Sequence, residues 1–333
     1  MAIAVGYVVY RSGAERNFVR GNATTPEAHA LFAGGMAIMA LALLPPIATM
    51  AGHLYWMQQV QTLLLRFVAP MMIMLAAPGA NLHGGLPERW RRHFPVRDDD
   101  PFFMDDERPR GAVAFLARPT VVTFLFIGVF AFWQIPACLN AAVLHPAIAV
   151  VMMLTFTASA LLFWWRTLDP RSPPLGPSYA TRLAMLVLAT LTQIGLGAYL
   201  TVKTTVLYPA YDTVGRLYHI HALTDETLGG ATIWVPSSII CVIAAIAIIH
   251  LWGKHEARVD ARRAMGTGSN SDALLFPTTG AALIENARPK NRVLAIGAAI
   301  FAFAMFAFVI VSGVLNHYDR EHGAAPTSQI WTR

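Results

Sequence analysis

Apolar blocks of about 20 residues recur along this chain, separated by polar connections, and a repeat of that length leaves few folds open. An α-helix rises about 1.5 Å per residue, so each block can cross a hydrocarbon core about 30 Å thick with its backbone N–H and C=O groups paired internally. Seven blocks qualify, at 28–50, 55–77, 117–136, 147–165, 181–202, 230–252 and 293–315. Composition agrees, since 56% of the residues are hydrophobic and 13% are charged, against roughly 25% charged in a soluble domain. The pattern predicts an all-α, polytopic transmembrane bundle of seven complete spans. An eighth apolar run, MAIAVGYVVY, stops at Arg11. It is too short to cross and reads as an incomplete N-terminal span, a truncated helix.

The net charge of +6 does not point to nucleic acid, because the basic residues sit in the connections rather than along one face. One set of alternate connections carries Arg11, Arg16 and Arg20, then Arg89 to Arg110, then Arg166, Arg171 and Arg182, then Lys254 to Arg292. The other set has Lys203, Arg216, Arg320 and Arg333. By the positive-inside rule the first set is cytoplasmic. Segments 50–54, 137–146, 203–229 and the tail from Asn316 then face outward.

Three regions follow: a bundle over 1–255, a cytoplasmic linker over 256–291, and an added span with an outer tail over 292–333. The linker starts as a charged helical extension, KHEARVDARR, and passes into GTGSNSD, a flexible composition. The stretch 79–116, with four prolines and acidic runs, reads as a surface loop. Cys138 and Cys241 lie far apart in or beside apolar spans and suit neither a disulfide framework nor a thiolate metal site. A catalytic triad, a phosphate-binding loop and a dinucleotide fingerprint are all missing, so no enzymatic reaction is assigned.

Chemistry-bearing residues concentrate at two places. His53, His145, His219 and His221 lie in the outward connections, and Met57 falls one helical turn after His53. Imidazole and thioether together suit copper, above all Cu(I). Histidines at the headgroup level of a bilayer are also ordinary interfacial residues, and that reading stays open. The second place is the span 55–77, where Gln58, Thr62 and Arg66 recur every four residues and Gln59 and Gln61 thicken the same half. Such a polar stripe in lipid demands partners, since an arginine near mid-span costs a few kcal/mol or more when it faces hydrocarbon. Trp133, Trp164, Trp165 and Trp234 read as interfacial tryptophans, and Pro70 and Pro136 as helix kinks or ends. Haem ligation would need paired histidines at like depth on facing spans, and a transporter would show repeat symmetry. The chain has neither pattern.

The runs QQVQTLLLRFVAPMMIMLAAP, FWQIPACLNAAVLHP, LLFWWRTLDP, GAYLTVKTTVLYPAY and DETLGGATIWVP, in that order, resemble successive blocks of the CtaG family of cytochrome c oxidase assembly factors. The resemblance covers about residues 5–255 and leaves the last span outside. It implies a seven-helix, multi-pass protein of a bacterial inner membrane that helps mature a haem–copper oxidase, with copper as the metal it delivers or holds and oxidase subunits, or those of another respiratory complex, as partners. This chain departs from the family at positions where the resemblance would place histidine: it has Gln58, Thr62, Gln134, Ala149 and Met153, while His145 remains. Two readings follow. In one, copper is held at the outer surface by His53, Met57, His145, His219 and His221. In the other, the protein is a metal-free scaffold or accessory subunit that docks through the stripe of Gln58, Thr62 and Arg66.

Overall fold

A computed structural model describes residues 2–19, 24–88, 115–171, 173 and 176–266. It divides the chain into two units, Met1–Trp252 and Gly253–Arg333. Helices account for the regular structure, and no strand occurs among the described residues. In order they are α1 (Ala2–Val19), α2 (Pro26–Leu43), α3 (Ile47–Ala51), α4 (Tyr55–Leu63), a π-helical turn (Leu64–Val68), α5 (Ala69–Leu75) and α6 (Gly79–Gly85). There follow α7 (Pro119–Trp133), α8 (Pro136–Leu144), α9 (Pro146–Thr167), α10 (Tyr179–Val202), α11 (Ala210–Val214), a 3-10 turn (Leu217–His219) and α12 (Ala222–Gly266).

Among the described residues four helices are long and apolar enough to cross a membrane, within α2, α9, α10 and α12. Two bent pairs bring the number to as many as six: Tyr55–Leu75 with Gly79–Gly85, at 82°, and Pro119–Trp133 with Pro136–Leu144, at 70°. These correspond to the first six predicted blocks, and the protein is a multi-pass membrane protein. The seventh block, the linker beyond Gly266 and the loop over 89–114 lie outside the described residues.

Sequence punctuation explains the helix boundaries. Proline stands at the first turn of α2, α7, α8 and α9, where a missing N–H costs nothing and the fixed φ suits a helix. Thr25 caps α2 by accepting from Ala28 N at 3.3 Å, and Ser178 caps α10 by accepting from Thr181 N at 3.1 Å. Pro70 has a different consequence. It has no N–H for the carbonyl of Arg66, four residues earlier, and the backbone widens into the π turn over Leu64–Val68. The indole of Trp164 donates to that carbonyl at 2.8 Å. Trp164 is thus a core residue with no solvent exposure rather than an interfacial one.

Between lipid-embedded helices, close packing and hydrogen bonds replace the hydrophobic effect as the cohesive terms. The contacts are accordingly dense. Phe67, Phe126, Phe163 and Trp164 interlock in one cluster, with Phe126 stacked on Phe163 at 4.2 Å between centroids. Tyr55, Phe130, Met152, Phe156 and Tyr208 form a second. A third joins Tyr10, Phe32, Leu65 and Ile73. At Gly197 and Gly230, α10 and α12 approach so closely that a Cβ on either would lie 2.8 Å from the other's carbonyl oxygen.

Two N-terminal expectations change. The first helix does not stop at Arg11 but runs to Val19, and the predicted surface loop after Pro78 begins with α6. Each explains the other, since α1 packs on α6. Arg16 Nη1 donates to Gly84 O at 2.8 Å, and Asn17 Nδ2 donates to Asn81 Oδ1 at 2.9 Å. Polar residues that end an apolar run can therefore continue a helix when a neighbouring chain segment satisfies them.

Candidate functional site

Helix ends at Tyr55, Trp133, Pro146, Val202 and Ala222 alternate along the chain, and side-chain contacts gather most of them at one end of the bundle. Asp225 and Glu226, both with no solvent exposure, organise that end. Asp225 accepts from Tyr55 N and Trp56 N, each at 3.0 Å, and pairs with Arg216. It caps α4 from a distant segment, because the residue at the cap position, Leu54, offers no side-chain acceptor. Glu226 accepts from Leu207 N and from Tyr208 N, the latter at 2.8 Å, and pairs with Lys203. The two acids thereby hold the connection between α10 and α12 at both its ends.

Arg216 also donates from Nε to Asp212 at 2.6 Å and from Nη2 to Tyr208 O at 3.2 Å. Beyond it the connection rises to a tip. Gly215 turns the chain at φ 87°, and its carbonyl lies 2.9 Å from His53 Nδ1, which must carry the proton to donate. Tyr218 and His219 both adopt left-handed backbone conformations, with φ 62° and 53°. That region costs a non-glycine residue on the order of 1–3 kcal/mol, so the surrounding ties over-determine it. Tyr218 is 69% exposed at the summit.

Below the connection a closed polar network enters the bundle. Tyr55 OH donates to Gln134 Oε1 at 2.9 Å, and Tyr208 OH donates to Gln134 O at the same distance. Gln134 Nε2 donates to Gln59 Oε1 at 3.1 Å, Gln59 Nε2 donates to Gln58 Oε1, and Gln58 Nε2 reaches Met152 Sδ at 3.7 Å. Burial pushes the Tyr208 and Tyr211 phenols above their ordinary value of about 10, so both remain protonated. Substituting Gln134→Leu takes the acceptor from a buried phenol and the donor from Gln59. The expected loss is about 1–3 kcal/mol, measured as a lower melting temperature in detergent.

Arg66 lies deeper, 1% exposed. Its Nη2 donates to Phe126 O at 2.9 Å, and its guanidinium carbon stands 4.1 Å from the ring centroids of both Phe126 and Phe130. Phe67 and Phe156 close the cage at 5.5 and 5.6 Å. A carbonyl and aromatic faces are thus the partners found for this charge, and desolvated cation–π contacts can reach about 2 kcal/mol. Gln58, Gln59, Gln61 and Thr62 are buried as well. Gln61 Nε2 donates to Ala42 O at 2.7 Å, and Thr62 Oγ1 to Gln58 O at 2.8 Å. The stripe is therefore internal to its own chain, and a partner could dock on it only if the bundle opened.

The predicted ligand residues stand apart from this network. His145 is exposed at the junction of α8 and α9, His219 and His221 are exposed in the connection, and Met57 is half-buried in α4. His53 already spends its Nδ1 proton on Gly215. Among the described residues no group of three or more His, Cys, Asp or Glu side chains is placed to hold a metal ion. Gln58 and Gln134, two of the positions where the resemblance would place histidine, lie in the amide and phenol network. Its oxygen and nitrogen donors pair with one another, and such neutral amides and phenols are poor ligands for Cu(I), which selects thiolate and thioether sulfur. One thioether, from Met152, touches the network.

Sequence reasoning assigned no role to Asp225, Glu226, Tyr55 or Tyr208. An acid pair just ahead of an apolar span was the available signal, since buried acids require basic or N–H partners.

The family model described as cytochrome c oxidase caa3 assembly factor, Caa3_CtaG, matches residues 5–255. The chain belongs to this family. No curated protein and no solved structure gives a significant match. Caa3_CtaG is a family of assembly factors rather than, by its description, of enzymes. The match spans α1 to the greater part of α12 and so contains the acid-anchored connection, the polar network and Arg66.

Proposed function

We propose that this Caa3_CtaG protein serves oxidase biogenesis as a membrane scaffold that binds no copper within its bundle. It docks an oxidase polypeptide through the tip of the connection between α10 and α12, on the outer side of a bacterial inner membrane. The observation that carries this reading is the tip itself. Tyr218 and His219 are held in costly left-handed conformations by a base tied through Arg216, Asp225 and Glu226, and Tyr218 is presented to the outside. Exposed aromatic side chains on a rigid support are frequent anchors of protein interfaces. The metal-free part rests on donor chemistry, since the network of Gln58, Gln59 and Gln134 offers amides that are already paired.

Co-purification in mild detergent from a host that makes its oxidase tests the reading. Oxidase polypeptides are expected with the wild type and lost with Tyr218→Ala, whose melting temperature should stay unchanged because the side chain is exposed. Retention of those polypeptides by the variant overturns the docking role. Purified protein equilibrated with Cu(I) and desalted should carry no stoichiometric metal. Stoichiometric copper that disappears in His53→Ala or His219→Ala would instead establish a site at His53, Met57, His145, His219 and His221.

A further inference from the structure

A small, partly open cavity of about 10 Å³ is lined by Gln59, Thr62, Arg66, Gln193 and Thr232 among others. Two of these side chains leave a buried polar atom without a partner, Nε of Arg66 and Oε1 of Gln193. Both residues are at least nine-tenths buried, at 1% and 2% exposure. One atom is an obligate donor and the other an obligate acceptor. An unpaired polar atom in a membrane interior costs several kcal/mol, and two of opposite character on one small cavity call for a ligand that accepts from the first and donates to the second.

Size selects that ligand. A cavity that holds a single water needs on the order of 10–15 Å³, and this one falls at the lower edge of that range. Halides and carboxylates are larger, and neither can donate to an amide oxygen. A water molecule can do both. Thr62, Thr232 and Gln59 line the same space.

We infer that the cavity between Gln59, Arg66 and Gln193 is a binding site for one structural water, which accepts from Arg66 Nε and donates to Gln193 Oε1. Gln59 belongs both to this site and to the network that begins at Tyr55 and Tyr208. The water therefore extends the hydrogen-bonded chain from the acid-anchored end of the bundle to Arg66. It completes the solvation of a charge whose partners are otherwise one carbonyl and aromatic rings. The site is independent of whether the tip at Tyr218 docks an oxidase.

A crystal structure of the full chain grown in a lipidic phase with bromide replacing chloride tests this directly. One peak without anomalous signal is expected at roughly 3 Å from both Arg66 Nε and Gln193 Oε1. No peak, or a bromide peak, overturns the inference. Gln193→Met, close in volume but without the acceptor, should lose the peak and melt roughly 2–4 °C lower. Gln193→Glu keeps the acceptor and should keep the peak. An unchanged melting temperature in Gln193→Met would also overturn it.

Discussion

Asp225→Ala is expected to destabilise the bundle by about 3–5 kcal/mol, the usual result of removing one partner from a buried ion pair. Three groups lose their acceptor together. Arg216, whose side chain is 5% exposed, keeps its charge with Asp212 as its remaining acid, while the first N–H groups of α4 lose the carboxylate that caps them. Leu54 cannot replace it, and the positive end of the helix dipole is left beside the Arg216 guanidinium without the carboxylate that served both. Asp225→Asn retains an acceptor for α4 and removes only the charge, so its loss should be smaller. Thermal unfolding in detergent ranks the three proteins. Hydrogen exchange should show the loss concentrated in residues 203–221 and the first turn of α4, because those segments share the anchor. Equal stability of Asp225→Ala and wild type would mean that Arg216 finds another acid.

The second large effect is expected at the crossing of α1 and α6. A Cβ on Gly13 would lie 1.7 Å from Asn81 O, and one on Gly85 would lie 1.8 Å from Val9 O. Neither obstacle is the flexible end of a side chain, so the helices must separate. Gly13→Ala therefore costs about 1–3 kcal/mol of overpacking, and more once the bonds from Arg16 to Gly84 and from Asn17 to Asn81 are drawn apart. The measurement is protease accessibility of residues 2–19 alongside the melting temperature. Gly128→Ala is the control, since nothing lies within 4 Å of a Cβ there. Accessibility in Gly13→Ala equal to that in the control would contradict the close crossing.

These two sites differ in how far the sequence announced them. The glycines of α6 lie in a stretch whose prolines and acids read as a loop, and no periodicity marked a short helix in it. What makes α6 a helix is its partner: Asn17 and Arg16 bond to it from residues more than 60 positions away. Asp225 and Glu226 stand in the sequence as an acid pair shortly after His219 and His221. Their role was not legible there, because capping α4 and binding the 207–208 backbone depend on segments brought together only by folding. The polar stripe was legible in the spacing of Gln58, Thr62 and Arg66. Its direction was not legible, since a helix in lipid can turn a polar face toward its own bundle as readily as toward a second protein.

The amino-acid sequence by itself determined that this is a multi-pass helical membrane protein and to which family it belongs. Block length against bilayer thickness and the order of family segments are properties of a linear string. Tertiary structure alone decided which polar groups meet. Arg66 finds Phe126 and Phe130 on α7 and Phe156 on α9, Asp225 finds the start of α4, and Gln134 finds two phenols from opposite parts of the chain. Each pairing joins residues far apart in sequence, where local pattern holds no information and the requirement that every buried donor and acceptor be satisfied selects the arrangement.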